Sequence, residues 1–85
     1  MTIYIVSYTC YDEYDNNLYT WRKPLTNWPD ALELFNANVN TAREDISFND
    51  DEEVDYDEIK EDFSYTFERE DSYCKIIVEL TSHEL

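Results

Sequence analysis

Eighty-five residues and 10.3 kDa allow one small domain, which buries only about 60–65% of the surface of its unfolded chain. A cofactor-binding fold with a separate catalytic domain is excluded on size. Twenty-one Asp and Glu against six Lys and Arg give a net charge of −15, which disfavours direct binding to DNA, RNA or an anionic membrane, while 42% hydrophobic and 16% aromatic residues are enough for a folded core.

Residues 3–11 (Ile-Tyr-Ile-Val-Ser-Tyr-Thr-Cys-Tyr) are β-branched and aromatic and alternate with small polar residues after Val6, which predicts a strand. Asp12-Glu13-Tyr14-Asp15-Asn16-Asn17 reads as a polar turn. Residues 18–23 resume strand composition, making a hairpin that Pro24 is expected to end. Asn27 is placed as a helix N-cap, with Asp30 three residues on and Pro29 in the first turn. Trp28, Ala31, Leu32, Phe35, Val39, Ala42 and Ile46 then fall along one side of a helix running to about Ser47, with Leu34 off the stripe and partly exposed.

From Asn49 to Asp62, nine of fourteen residues are acidic, and Tyr56, Ile59 and Phe63 keep a 3, 4 spacing that suggests a short second helix. Residues 63–69 and 73–80 alternate as two further strands around a turn at Glu70-Asp71-Ser72. The expected fold is a single α+β domain spanning residues 1–85. In it a four-stranded antiparallel sheet carries one long and one short helix on one face, in the order ββααββ.

Few residues suggest covalent chemistry. Glycine is absent, which removes Gly-rich phosphate loops and shifts positive-φ turn positions onto Asn and Asp. Cys10 and Cys74 read as ordinary buried or half-buried thiols, and His83 is expected at a frayed C-terminus. Asp51, Glu53, Asp55 and Asp57, with Asp62 at position twelve counted from Asp51, echo a calcium loop. Position six, however, is Tyr56 where the sharp turn needs Gly, so no metal or other cofactor is expected. Without a catalytic His or a nucleophile signature, the many carboxylates read as surface charge, not as an acid/base pair. The N-terminus has neither a basic n-region nor a long apolar stretch, which points to a cytosolic protein.

The charge itself is the candidate functional element. Residues 44–71 hold fourteen acids against Lys60 and Arg69, a net of −12, whereas the first 43 residues carry five acids and three bases. Self-repulsion of that density opposes a compact state, and a basic partner would relieve it. Carboxylates about 6 Å apart on a helix face, or about 7 Å along one side of a strand, approach the phosphate spacing of one nucleic-acid strand. The expected partner-binding residues are Tyr11, Asp12, Glu13, Tyr14 and Asp15 in the hairpin turn. They are joined by Asp50, Asp51, Glu52, Glu53, Asp55, Tyr56, Asp57, Glu58, Glu61 and Asp62 in the acidic segment, the tyrosines serving as interface anchors.

A glycine-free, strongly acidic, Tyr-rich chain with the cluster Asn49-Asp-Asp-Glu-Glu-Val-Asp-Tyr-Asp57 resembles, in overall character, the small phage-encoded inhibitors of bacterial defence nucleases, namely anti-CRISPR and DNA-mimicking anti-restriction proteins. That resemblance implies a non-enzymatic protein of the host bacterial cytoplasm. Its partner would be the basic nucleic-acid channel of a CRISPR effector or related nuclease, bound through the residues just named. The other class of reading is an antitoxin or immunity-type partner that plugs a basic toxin.

Overall fold

The computed structural model describes residues 1–44, 55–61, 64–70 and 74–84. Among them run, in order, strands β1 (Thr2–Asp12) and β2 (Asn17–Leu25), helix α1 (Trp28–Glu44), and strands β3 (Asp55–Glu61), β4 (Ser64–Glu70) and β5 (Cys74–Glu84). The strands form one antiparallel sheet in the order β2-β1-β5-β4-β3. The α+β class therefore holds, but the expected four strands and two helices are corrected to five strands and one helix among the described residues.

The correction falls on the acidic segment. Residues 55–61 pair along their whole length with β4, from Asp55↔Glu70 to Glu61↔Ser64, instead of forming a helix. The spacing of Tyr56 and Ile59 fits a helix face, but Asp is a weak helix former and the neighbouring β4 offers a full hydrogen-bonding edge. The Glu58 carboxylate also gains Arg43 Nη2 of α1 at 3.6 Å and Lys60 Nζ at 3.0 Å. Phe63, Ile46 and the expected end of the long helix at Ser47 lie outside the described residues.

Smaller corrections have similar causes. Pro24 does not end the hairpin. It pairs with Ile5, and Leu25 pairs with Tyr4 beyond it, because β2 is an edge strand where a missing N–H is tolerated. The last strand runs through Glu84, so His83 is not frayed but sits opposite Ile3, with its Nε2 3.0 Å from Thr81 Oγ1.

Helix α1 begins as its sequence dictates. The Asp30 amide donates to Asn27 Oδ1 at 2.9 Å and Asn27 Nδ2 donates to Asp30 Oδ2 at 2.7 Å, so cap and third residue satisfy each other. Ala31, Phe35, Val39 and Ala42 are buried against Val6, Tyr8 and Cys10 of β1, Phe67 of β4, and Ile76, Val78 and Leu80 of β5. Leu34 is half-buried at the flank of this core. The helix therefore lies over the middle of the sheet, and the opposite sheet face, bearing Ile5, Ser7, Thr9, Glu79 and Thr81, carries no described element. No described helix is long and apolar enough to cross a membrane.

Candidate functional site: the acidic end of the sheet

Register brings together residues that are far apart in sequence. Tyr11 pairs with Lys75, Lys75 with Glu70, and Glu70 with Asp55, so the β1–β2 turn, the start of β5, the end of β4 and the start of β3 all occupy one end of the sheet. Three strand spacings of about 4.8 Å put Tyr11 and Asp55 on the order of 14 Å apart. The helix ends there too. Buried Arg69 of β4, only 5% exposed, donates from Nη1 to the carbonyl of Ala42 and, at 3.3 Å, to that of Arg43. The helix C-terminus, with the negative end of its dipole, is thereby fixed at the same end.

The turn is built without glycine. Asp15 takes φ 63°, the left-handed region that Asp tolerates better than most residues. Asp12 organises it: Oδ1 accepts from the amides of Tyr14 and Asn16, both at 2.9 Å, and Oδ2 accepts from Asn16 Nδ2 at 3.2 Å. These bonds, the Asn16 amide foremost, hold the Asp12 carboxyl below the usual aspartate value. Asp12 is thus spent on the fold, whereas Glu13 and Asp15 stay exposed and Tyr14, 76% exposed, projects at the tip.

Lys75 reports the field of this end. Its Nζ lies 3.2 Å from Glu68 Oε1, and its ammonium is held above the usual lysine value, first by the hydrogen bond to Glu68, then by the charges of Glu68, Glu70 and Asp15. Acids from the hairpin turn and from β4 therefore act on one ammonium. Sequence reasoning missed Glu70 and Lys75 as members of the site. The signal available was the second turn, Glu70-Asp71-Ser72, which an antiparallel meander returns to the same edge as the first.

Of the other expected site residues, Tyr11 is half-buried on the open sheet face and not in the turn. Asp55, Tyr56 and Asp57 lie on the backbone of β3, Asp55 at the acidic end. Glu58 is engaged by Arg43 and Lys60, and exposed Glu61 pairs with Ser64 at the opposite end. Asp50, Asp51, Glu52, Glu53 and Asp62 lie outside the described residues.

The open face carries a trough of about 440 Å³ whose walls include Ser7, Thr9, Tyr11, Thr20, Arg22 and Glu79. Thr81 and His83 at one end form a hydroxyl–imidazole pair. Among the described residues no three His, Cys, Asp or Glu side chains converge to hold a metal ion. Cys10 is buried and Cys74 half-buried, and the two are not joined in a disulfide. The chain matches no protein-family model, and no curated protein is significantly similar to it in sequence.

Proposed function

We propose that this chain is a non-enzymatic inhibitor that presents the acidic end of its sheet to the basic nucleic-acid channel of a CRISPR effector or related defence nuclease, excluding DNA from it. The observation that supports this reading most directly is the register Tyr11↔Lys75, Lys75↔Glu70 and Glu70↔Asp55, which gathers the β1–β2 turn and the ends of β3, β4 and β5 at one end of the sheet, with Glu68 3.2 Å from Lys75. Glu68 and Glu70 are held there on β4 and Asp15 in the turn that Asp12 organises, and the Lys75 ammonium lies among them. A charged surface on strands loses less conformational entropy on binding than the same charges on a loose tail, which favours tight association with a basic cleft.

Exposed Tyr14 supplies an aromatic anchor beside the charges. Binding through this end requires no catalytic group. It would set Glu13, Asp15 and Glu70 against cations of the target.

The test is competition. Purified CRISPR effectors and restriction endonucleases, each given labelled target duplex, are titrated with this protein in a mobility-shift assay. The proposal expects at least one to lose DNA when the protein is added first, and to refuse the protein when DNA is bound first. A ternary complex of effector, DNA and protein at saturation, or DNA binding undisturbed across the panel, rejects it. Selective capture of a small basic toxin would instead support the antitoxin class.

A further inference from the structure

The sheet face turned away from α1 holds four polar side chains that the acidic end does not use. Register sets Arg22 of β2 opposite Ser7 of β1, and Ser7 opposite Glu79 of β5, so a cation and an anion flank one serine on the same face. Thr9 follows two residues along β1 toward Tyr11, and all four side chains line the trough of about 440 Å³. No hydrogen bond or ion pair among the described residues engages any of the four side chains. The hydroxyls beside them are taken. Thr20 Oγ1 accepts from Asn17 Nδ2 at 2.9 Å, and Thr81 Oγ1 lies 3.0 Å from His83 Nε2.

The spacing of the two charges is informative. Two strand spacings of about 4.8 Å put the backbones of Arg22 and Glu79 about 10 Å apart. Ser7, with the shortest polar side chain of the row, leaves the space between the two longer ones open. An α-amino acid matches that space. Its amino nitrogen and carboxyl carbon are about 2.5 Å apart, and a charge-assisted hydrogen bond of about 2.8 Å at each end brings the span to roughly 8 Å. The net charge of −15 favours the same class, because it repels free anions and draws cations to any exposed acid, whereas a zwitterion carries no net charge and is held only where a cation and an anion stand at the right separation.

We infer that this trough is a binding site for a free polar α-amino acid. The Arg22 guanidinium donates as a fork to the ligand carboxylate, the ligand ammonium donates to the Glu79 carboxylate, and the Ser7 hydroxyl bonds the ligand between them. The trough is larger than the zwitterion alone needs, so the ligand side chain extends along β1 over Thr9, whose hydroxyl meets its polar group. Ser7 is four residues from Tyr11, about 13 Å along the strand, which separates this site from the acidic end.

Amide chemical-shift titrations of the full chain test this, with L-glutamine as probe and with acetate and methylammonium, each carrying one of its charges, as comparisons. L-Glutamine is expected to shift the amides of Ser7, Thr9, Arg22 and Glu79 saturably at millimolar concentration, and to bind roughly 3- to 30-fold tighter than either one-charge ligand. Arg22→Gln and Glu79→Gln, each shown by circular dichroism to be folded, should weaken it by a similar factor. Three results overturn the inference: a one-charge ligand binding as tightly as L-glutamine, wild-type affinity in both variants, or no saturable shift at those amides up to about 0.1 M, which is what a direct Arg22–Glu79 ion pair gives. Neither substitution touches the acidic end, so nuclease inhibition by the same variants separates failure here from failure of the proposed function.

Discussion

The guanidinium of Arg69 in β4 donates to the carbonyl of Ala42 in the last turn of α1, a contact between residues 27 positions apart that joins the helix terminus to the sheet. One buried side chain thus donates to two carbonyls of that last turn and opposes the negative end of the helix dipole. Arg69→Met removes the donor from the buried Ala42 carbonyl, and a loss of about 2–3 kcal/mol is expected in chemical denaturation. The slope against denaturant should stay unchanged, since the core itself is intact.

Asp12 gives the turn a pH dependence whose sign is fixed. Its folded value lies below the ordinary 3.8, so its contribution is fully present above 3.8 and is lost as pH falls through the lower folded value. Thermal melts of wild type and Asp12→Asn should differ most at neutral pH and converge under strongly acidic conditions. Lys75 works in the opposite sense: its raised value keeps its contribution complete below 10.5 and removes it only as pH climbs above that. A Lys75→Met chain should approach the wild-type melting temperature only in strong alkali.

Salt should separate folding from binding. Screening at 0.5 M relieves the repulsion within a chain of net charge −15, so the melting temperature rises, while the same screening weakens attraction to a basic channel. Melting and target affinity measured across one salt series should move in opposite directions.

Tyr14 carries little of the fold at 76% exposure. Tyr14→Ala is expected to leave the melting temperature within a degree or two while weakening the complex by about 1–3 kcal/mol, read by calorimetric titration.

Much of this fold was legible locally. Asn27 and Asp30 mark the helix start because capping is a matter of three residues, and Ala31, Phe35, Val39 and Ala42 reveal the buried face because packing follows the 3.6 period. Residues 55–61 were not legible: their helical spacing was outweighed by a cross-strand partner, β4, and by Arg43 of α1, neither visible within the segment. Pro24 misled for the same reason, since only the sheet order reveals that its strand is an edge. The acidity of the site was plain in composition, but its location was not. Strand register alone brings Tyr11, at the foot of the first turn, into line with Lys75, Glu70 and Asp55, and side-chain contacts then tie Asp12 to the turn and Glu58 to two bases.

The central claim is that exposed acids at this end of the sheet do the binding. The measurement is affinity for the captured effector of a chain carrying Glu13→Gln, Asp15→Asn and Glu70→Gln, which removes three charges, creates no like-charge pair, and keeps at position 15 a residue that tolerates positive φ. With each exposed charge contributing on the order of 0.5–1 kcal/mol, the account predicts binding about 10- to 100-fold weaker at low salt, a shallower salt dependence, and a melting temperature no lower than wild type. Wild-type affinity and salt dependence in that folded variant would contradict it.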